Sequence, residues 1–416
     1  MLKVVILAAG KSTRMKSDRP KVLHAIAGLP MLRWVVEAAR ALSPDEIIVI
    51  VGHGAEGVRK EFASDKLTFV AQEPQLGTGH AVLQARAALA GAEQVAVLCG
   101  DVPLLTAHTL QRLAECHRDA RAAATVLTTV LEKPAGYGRI LRDERGSVKA
   151  IVEQKDLKPG QERISEINSG TYLFNGPELV ARLDRLTNAN AQKEYYLTDV
   201  VHLLAQDGQS VAAWCCEDSR EVLGINTRRE LAACDKIARW RVVEQLMAGG
   251  VTVLDPENAY IEAGVKVGRD TTIYPYTAIH AGVQIGERCE IGPYAHLRSG
   301  TVVGNDCKVG AFVETKNAKI GDESKAGHLA YLGDVTLGKD VNIGAGTIVA
   351  NYDGKKKHKT EIGDEAFIGC GTVLVAPVKV GKRGQTGANT VVPKNKDVPD
   401  DTIVVGAPAR VLKRKA

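Results

Sequence analysis

The most constraining feature of the sequence is an aliphatic residue at every sixth position after residue 250. An α-helix would require a period of 3.6 residues and a strand a period of two, so neither explains the spacing. A coil of three short strands does, if each strand turns one aliphatic side chain inward and glycine or another small residue forms the corner. We therefore predict a left-handed parallel β-helix of hexapeptide repeats. The first unbroken run consists of Ile261, Val267, Ile273, Ile279, Ile285, Ile291, Leu297, Val303 and Val309.

The repeat continues beyond this run with two slips and one interruption. The register shifts by one residue near Lys319 and again before Leu337. A polar stretch at residues 353–359 then interrupts the aliphatic spacing, which resumes at Ile362. We interpret the stretch as a loop that reaches a neighbouring coil or subunit. Because hexapeptide helices commonly pack as threefold bundles, we expect a homotrimer.

The part of the chain before residue 250 has a different pattern. Helical patterns at residues 32–41 and 79–89 separate apolar runs at residues 4–7, 47–51 and 95–98. Such alternation predicts a mostly parallel sheet covered by helices, with ligands bound beyond the carboxyl ends of the strands. A further helical pattern at residues 226–247 ends at two glycines. We therefore predict a domain at residues 1–226, a linker helix at 227–250 and the β-helix at 251–416.

The composition excludes several classes of protein. The net charge is +5, from 54 basic and 49 acidic residues among 416, which does not mark a nucleic-acid or membrane binder. No run of 18 apolar residues exists, and the apolar run at the N-terminus is too short for a signal peptide. Eight mostly isolated cysteines form neither a disulfide framework nor a CxxC zinc site. We expect a cytoplasmic protein that binds neither nucleic acid nor membrane.

Two loops at strand ends point to a nucleotide. The strand at residues 4–7 runs into a small-residue loop, AAGKSTRM, whose backbone could approach a phosphate or a base closely. Its glycine spacing matches neither a Walker A loop nor a dinucleotide fingerprint. Arg14 and Lys21 suit a triphosphate and the charge that develops on departing pyrophosphate. Asp101 follows the strand at residues 95–98, where a lone carboxylate suits Mg²⁺.

Seven segments of the chain make the interpretation of its function more specific. They occur in the order LAAGKSTRMKSDRPKVLH, EPQLGTGHA, GDVPL, GYGRI, IVEQKD, EINSGTY and EYYLTD. Together they resemble the sugar-nucleotide pyrophosphorylases, which have an α/β Rossmann-like nucleotidyltransferase (GT-A-like) fold. With the hexapeptide half added, nearly the whole chain resembles the bifunctional bacterial N-acetylglucosamine-1-phosphate uridylyltransferases and glucosamine-1-phosphate acetyltransferases. The resemblance implies acetylation of glucosamine-1-phosphate by acetyl-CoA, followed by uridylyl transfer from UTP, in UDP-N-acetylglucosamine biosynthesis.

For the N-terminal half, the resemblance implies in-line attack by the sugar phosphate on the α-phosphorus of UTP. No general base is required, because the attacking phosphate is already ionised. Arg14 and Lys21 would bind phosphates and stabilise the transition state, and Asp101 with Asn226 would hold Mg²⁺. Uracil and ribose would be contacted by Leu7, Ala8, Ala9 and Gly10, and the uracil edge by Gln72, Gly77 and Thr78. The N-acetylglucosamine moiety would be contacted by Gly138, Glu153, Asn168 and Thr198.

For the C-terminal half, the resemblance implies that His328 is the general base. A neutral imidazole can take a proton from an amine as it attacks a thioester. Asn351 would orient His328 or the substrate. The sugar-phosphate contacts would come from Arg298, Lys316, Tyr331, Asn342 and Lys357, and the acetyl-CoA contacts from Ala345, Asn351, Tyr352, Cys370, Ala388 and Arg410. Two residues depart from the family pattern, since Ser12 stands where glycine is usual and Cys370 where serine is usual.

Three alternatives remain open on the residues alone. The chain could be a monofunctional sugar-1-phosphate nucleotidyltransferase that uses its β-helix as a scaffold. It could be a zinc hydratase, although no two of its ten histidines are five residues apart, as the hexapeptide carbonic anhydrases require. It could also be a non-catalytic assembly subunit, against which Arg14, Lys21 and Asp101 argue.

Overall fold

The computed structural model describes residues 1–10 and 13–414. It divides into two compact units, Met1–Asp235 and Lys236–Ala416. The helix Arg228–Ala248 begins in the first unit and ends in the second, and its role as a linker stays a prediction. No helix among the described residues combines the length and apolar content that crossing a bilayer requires.

The first unit alternates strands and helices. Its helices are α1 (Met31–Arg40), α2 (Ala55–Glu61), α3 (Thr78–Gln84), α4 (Ala107–Asp119), α5 (Gly176–Leu183), α6 (Thr198–Gln206) and the start of α7 (Arg228–Ala248). Its strands are β1 (Leu2–Ala8), β2 (Ala25–Ile26), β3 (Leu29–Pro30), β4 (Glu46–Val51), β5 (Thr68–Ala71), β6 (Gln94–Cys99), β7 (Ala124–Val130), β8 (Arg139–Arg142), β9 (Val148–Val152), β10 (Glu166–Asn175) and β11 (Val211–Cys215). Short 3₁₀ turns lie at Thr13–Met15, Lys21–Leu23, Gln154–Asp156, Gln161–Arg163 and Ser219–Val222.

The main sheet has the order β11-β7-β10-β6-β1-β4-β5. The central strand β1 pairs in parallel with β4 and β6, and β10 alone on this path runs antiparallel to both of its neighbours. Strand β1 is apolar because helices cover both faces, and Val4, Val5 and Ile6 are completely buried. The prediction of a mostly parallel, helix-covered sheet is confirmed.

The predicted helix at residues 79–89 is wrong in extent. Helix α3 ends at Gln84, and the chain continues in tight turns, with a hydrogen bond from Ala85 N to Val82 O. The apolar spacing persists through these turns because Ala85 and Leu89 still pack in the core. Hydrophobic periodicity therefore reported burial correctly but did not distinguish a helix from successive turns.

The second unit stacks three parallel sheets, as the β-helix prediction requires. Face 1 contains Thr252–Val253, Thr272–Ile273, Glu290–Ile291, Lys308–Ala311, Lys325–His328, Asn342–Ile343, Phe367–Ile368, Gln385–Thr386, Thr402–Val405 and Arg410–Arg414. Face 2 contains Tyr260–Ile261, Ala278–Ile279, His296–Leu297, Glu314–Lys316, Tyr331–Gly333, Ile348–Ala350, Val373–Val375 and Val391–Val392. Face 3 contains Lys266–Val267, Gln284–Ile285, Val302–Val303, Lys319–Ile320, Val335–Leu337, Thr360–Ile362 and Val378–Val380. A 3₁₀ turn lies at Pro256–Asn258.

The repeated aliphatic residues point into this β-helix. Ile273, Ile291 and Val309 are 0% exposed, and the register pairs Ile273 with Ile291 on the next coil. The predicted register slip is also present, since buried Thr315 replaces an aliphatic residue and Ile320 follows it after five residues. At the far end, strand Arg410–Arg414 reverses direction and pairs antiparallel with Thr402–Val405.

The prediction of glycine at the corners of the β-helix is right in part, since left-handed glycines form several of them, including Gly264 (φ 78°) and Gly282 (φ 82°). Non-glycine residues with left-handed backbone form many others, including Asp270 (φ 60°), Arg288 (φ 56°) and Phe312 (φ 57°). The glycines directly after the inward residues serve instead to let adjacent coils approach. A Cβ on Gly268 would lie 2.6 Å from the carbonyl carbon of Gly286. Strands pair about 4.8 Å apart, which leaves no room for a side chain there.

Two neighbouring glycines test this explanation. A Cβ on Gly310 would overlap the carbonyl oxygen of Gly327, whereas a Cβ on Gly327 would meet nothing within 4 Å. We expect Gly310→Ala to lower the free energy of unfolding by about 1–3 kcal/mol, as overpacking does. Gly327→Ala should leave stability nearly unchanged. Urea denaturation followed by circular dichroism measures both, and equal effects would contradict the close-approach explanation.

Candidate active sites

A cavity of about 540 Å³ lies at the carboxyl ends of β1, β4 and β6. Parallel pairing places these strand ends at one edge, where Gly100 N donates to Leu7 O at 2.9 Å and Gln72 N to Val51 O at 2.8 Å. The cavity is therefore where an open α/β sheet binds its ligand. Nine residues expected at the nucleotide site line it: Leu7, Ala8, Ala9, Gly10, Lys21, Gln72, Gly77, Thr78 and Asp101.

Three of the expected side chains form one polar cluster. The Lys21 ammonium donates to Asp101 Oδ2, and to Asn226 Oδ1 at 3.0 Å. Lys21 begins a 3₁₀ turn after Pro20, Asp101 follows β6, and Asn226 precedes α7. A backbone hydrogen bond of 3.0 Å from Ile225 N to Asp101 O holds the last two segments together. The fold thus brings Asp101 and Asn226, which are 80 and 205 positions away from Lys21 in the sequence, into contact with its side chain.

The same cluster has the chemistry that Mg²⁺ needs. The oxygens of Asp101 and Asn226 converge on a single cationic group, the Lys21 ammonium. Mg²⁺ takes one or two protein oxygens and completes its octahedron with phosphate and water. No group of three or more His, Cys, Asp or Glu side chains suited to a metal occurs among residues 1–10 and 13–414. The oxygens of Asp101 and Asn226 therefore fit a Mg²⁺ ion whose remaining ligands include a phosphate.

No described side-chain contact joins Arg14 to this cluster. Arg14 is exposed in the turn Thr13–Met15 and does not line the cavity. Its expected contact with phosphates stays a prediction. Ser12, where the sequence departs from the family pattern, lies outside the described residues.

A second cavity, of about 180 Å³, shares Leu7, Thr78 and Cys99 with the first. All four residues expected to contact the sugar line it: Gly138, Glu153, Asn168 and Thr198. Its polar groups hold one another in place, since Asn168 Nδ2 donates to the Tyr172 hydroxyl at 2.7 Å and Thr198 Oγ1 to Glu153 Oε1 at 3.4 Å. Burial raises the pKa of Glu153 above its ordinary value, and the Thr198 hydrogen bond partly opposes this.

The sequence did not single out Cys99, which lines both cavities. Its thiol donates to the Gly170 carbonyl at 3.3 Å. Burial, with a smaller contribution from the Asp101 carboxylate, raises the pKa of Cys99 to about 12. Cys99 is therefore a neutral thiol at the junction of the two cavities. Its position at the end of β6, directly before Gly100 and Asp101, was the signal available in the sequence.

In the second unit, three cations assemble on face 2 and the adjacent loop. The Lys357 ammonium, and then the Arg298 guanidinium, lower the pKa of Lys316 below its ordinary value. Arg298 Nη1 is also 3.0 Å from Glu314 Oε1. Three like charges in close proximity are unfavourable alone and suit a multiply charged anion.

Beside these cations lies a cluster around Asp334. Asp334 Oδ2 accepts from Asn351 Nδ2 at 2.5 Å, and Asp334 Oδ1 from Asn317 Nδ2 at 3.0 Å. A Cβ on Gly333 would lie 2.5 Å from the Tyr331 hydroxyl and 2.7 Å from Asn351 Nδ2. Gly333 therefore leaves room for the Tyr331 hydroxyl and the Asn351 amide at this point.

The polar interruption at residues 353–359 forms a loop organised by Asp353. Its carboxylate accepts from the backbone of Lys355 and Lys356 and from His358 Nε2, at 2.9, 2.8 and 2.6 Å. The Lys356 backbone N–H, followed by His358, lowers the pKa of Asp353 well below its usual range. Lys394, from a later coil, lies 3.6 Å from Asp353 Oδ2. Tyr352, directly before this loop, is exposed and donates to Gly354 O at 2.7 Å.

His328 is exposed at the end of its face 1 strand. Ala345, Cys370 and Ala388 occupy the same place on the following three coils, each two residues beyond an inward position. Hydrogen bonds of 2.7 Å from Gly371 N to Ala345 O and from Asn389 N to Cys370 O link these coils. Coils repeat about every 4.8 Å, so a line of small side chains leads away from His328.

The other residues expected in this half are more dispersed. Asn342 lies on face 1, in register between Lys325 and Phe367. Arg410 is exposed at the start of the reversed last strand. The structure thus forms two groups, the cations Arg298, Lys316 and Lys357, and the aligned residues His328, Ala345, Cys370 and Ala388. No described side-chain contact joins Asn342 or Arg410 to either group.

The neutral state of Cys99 has a measurable consequence. The thiolate is the reactive form of cysteine, so a pKa of about 12 should make Cys99 slow to alkylate at pH 8. We expect iodoacetamide to modify Cys99 at least about tenfold more slowly than the exposed Cys215 and Cys370. Peptide mass spectrometry over time gives all three rates in one sample. Equal rates at Cys99 and Cys215 would contradict the buried, protonated thiol.

Comparison with known proteins agrees with this two-part organisation. Residues 4–194 match the family model of the MobA-like NTP transferase domain, and residues 282–317 match the bacterial transferase hexapeptide model of six repeats. The bifunctional protein GlmU of Listeria monocytogenes serotype 4b is 45% identical over 433 residues, covering 96% of this chain and 94% of the relative.

Two further relatives extend the match to other bacteria. The bifunctional protein GlmU of Fervidobacterium nodosum is 45% identical and covers 99% of this chain and 96% of its own. The bifunctional protein GlmU of Heliobacterium modesticaldum is 47% identical and covers 96% and 94%. Because both halves align in one continuous match with each relative, this chain belongs to the GlmU family of bifunctional transferases.

Proposed function

We propose that the two units catalyse consecutive steps in the synthesis of UDP-N-acetylglucosamine. The second unit transfers the acetyl group of acetyl-CoA to glucosamine-1-phosphate. The first unit transfers the uridylyl group of UTP to the resulting N-acetylglucosamine-1-phosphate and releases pyrophosphate. The observation that carries the proposal is the pair of joined cavities, one lined by Gly10, Lys21 and Asp101, the other by Glu153 and Asn168.

In the first unit, the chain's main task is to position two negatively charged substrates. The phosphate of the sugar attacks the α-phosphorus while the bond to pyrophosphate breaks, and the attacking oxygen needs no base because it is ionised. Lys21 stabilises the charge on the phosphorus oxygens, with Arg14 as the second proposed cation. Mg²⁺ held by Asp101 and Asn226 would neutralise charge on the triphosphate.

The second cavity is proposed to bind the N-acetylglucosamine moiety. Glu153, oriented by Thr198, accepts hydrogen bonds from sugar hydroxyls. Asn168 is 9% exposed and fixed by Tyr172, so its amide is held ready for the ligand. Gly138 supports the same wall, because its carbonyl accepts from Asn168 N at 2.9 Å. Rigid polar groups of this kind reduce the entropy lost when substrate binds.

In the second unit, His328 is proposed to take the proton from the substrate amine as it attacks the acetyl carbon. A carbon–nitrogen bond forms, the carbon–sulfur bond breaks, and coenzyme A leaves as a thiolate that is then protonated. Arg298, Lys316 and Lys357 bind the sugar phosphate, while Tyr331, Asn342 and Asn351 orient the sugar. Acetyl-CoA lies along the small-residue line of Ala345, Cys370 and Ala388, with Tyr352 and Arg410 beside it.

We further propose that three chains assemble through the corner beside His328. The corners carry a ladder of exposed apolar side chains, in which Tyr276 and Tyr294 stack at 5.0 Å and Tyr294 and Phe312 at 5.1 Å between ring centroids. Leu329 continues the ladder and is 60% exposed. Contiguous exposed apolar surface of this kind marks an interface. UTP and acetyl-CoA are cytoplasmic metabolites, which supports a cytoplasmic location.

If the two sites are separable, a variant in one unit should lose one transferase activity and keep the other. Asp101→Ala should lower uridylyl transfer by at least about 100-fold, because the proposed metal ligand is lost, and leave acetyl transfer intact. His328→Ala should do the reverse. Release of pyrophosphate and of free thiol, followed together in one assay, measures both activities. Absence of thiol release in the unmodified protein would favour the scaffold alternative, and loss of both activities in either variant would contradict separate sites.

The assembly proposal can be tested at one corner. Phe312 has φ 57°, a conformation that Glu323 also adopts at another corner, so Phe312→Glu should fold. The buried charge should weaken the proposed interface and shift the protein from trimer to monomer in sedimentation velocity experiments. Acetyl transfer should fall with the trimer while uridylyl transfer persists. A monomeric unmodified protein with full acetyl transfer would overturn the proposal.

A further inference from the structure

The amide of Gln72 has a fixed orientation in the nucleotide cavity. Gln72 directly follows β5 and is 3% exposed. Its Nε2 lies 2.9 Å from the carbonyl oxygen of Gly77 and 3.2 Å from Nδ1 of His80. A carbonyl oxygen only accepts hydrogen bonds, so the NH₂ group of the amide must face Gly77. Both of its hydrogens are then used inside the protein, and Oε1 remains for a ligand.

The partner carbonyl is itself fixed by the backbone around it. Tyr195 N donates to Leu76 O and Gly79 N donates to Tyr195 O, both at 2.8 Å. Gly77 has φ 107°, and a Cβ there would lie 2.6 Å from the Tyr195 oxygen. These contacts clamp the turn that carries the Gly77 carbonyl. The acceptor that orients one Gln72 hydrogen is therefore part of a rigid turn.

The second hydrogen requires a particular form of His80. Nδ1 accepts from Gln72, so a neutral imidazole carries its hydrogen on Nε2, which lies 3.1 Å from the Gln84 amide nitrogen. Rotation of the Gln84 terminal amide would place its oxygen at this position, where it accepts the hydrogen on Nε2 of His80. Burial lowers the pKa of His80, which favours the neutral imidazole. A protonated ring would direct an N–H from Nδ1 against the Gln72 NH₂ group and disrupt the arrangement.

We infer that His80 is a positioning residue that sets the base specificity of this site by holding Gln72 with its oxygen towards the ligand. The inference rests on the proposed function, since it assumes that the cavity binds a pyrimidine nucleoside triphosphate. An amide oxygen complements the N3–H donor of uracil. It opposes the N3 lone pair of cytosine, because two acceptors then face each other. The contact between His80 and Gln72 thus favours UTP over CTP.

The test compares kcat/KM for UTP and for CTP in four proteins. They are the unmodified chain, His80→Leu, His80→Asn and His80→Gln. The Asn amide oxygen falls near the place of Nδ1 and can still accept from Gln72, whereas the longer Gln reaches the place of Nε2. We expect His80→Leu to lower the UTP/CTP ratio by about tenfold, the scale of one hydrogen bond. His80→Asn should restore most of the ratio, and His80→Gln should resemble His80→Leu.

The kinetic pattern separates positioning from a general structural defect. The base lies away from the reacting phosphorus, so His80→Leu should raise KM for UTP with little change in kcat. Acetyl transfer in the same sample reports that the protein is folded. Equal losses with UTP and CTP, an unchanged ratio in His80→Leu, or no difference between the Asn and Gln variants would overturn the inference. An unmodified protein with no preference for UTP would instead refute the proposed function on which it rests.

Discussion

Parallel pairing of backbone strands is the constraint on which both units depend. In the first unit it places the carboxyl ends of β1, β4 and β6 at one edge, so that loops distant in sequence meet around one cavity. In the second unit the same pairing, repeated coil after coil, superimposes equivalent positions. His328 is followed along the axis by Ala345, Cys370 and Ala388 for this reason. The two candidate sites are thus consequences of strand register, one across a sheet and one along a stack.

Charge is distributed unequally between the joined cavities of the first unit. The end proposed to bind the nucleotide has the cluster of Lys21, Asp101 and Asn226, which suits a triphosphate and its cation. Towards the end proposed to bind the sugar, burial raises the pKa of Cys99, Tyr172 and Glu153, disfavouring the charged form of each. A buried environment that disfavours charge suits the proposed sugar, which offers hydroxyls and an amide. The two ends therefore differ in their electrostatics, as the proposed phosphate and carbohydrate groups of the ligands require.

The sequence predicted those parts of the structure that follow from local pattern. The apolar runs located β1, β4 and β6, and the six-residue spacing located inward positions such as Ile291 and Val309. It did not predict the corners formed by larger residues, because left-handed conformation at Asp270 or Phe312 is imposed by closure of the coil and not by residue type. The positions of Cys99 and His80 depend on tertiary neighbours, the Gly170 carbonyl and the Gln72 amide, which no short motif records. The resemblance to a family supplied the candidate residues, whereas only the structure showed which of them lie together.

The reversed strand Arg410–Arg414 has a consequence for the behaviour of the protein in solution. A β-helix is a one-dimensional stack, and each face ends in a row of unpaired backbone groups able to accept another strand. On face 1 the chain folds back and occupies that row itself, in antiparallel pairing with Thr402–Val405. This antiparallel strand departs from the parallel pairing that repeats along the rest of face 1. The edge of Thr402–Val405 is therefore covered by the same chain and is not open to pairing with another molecule.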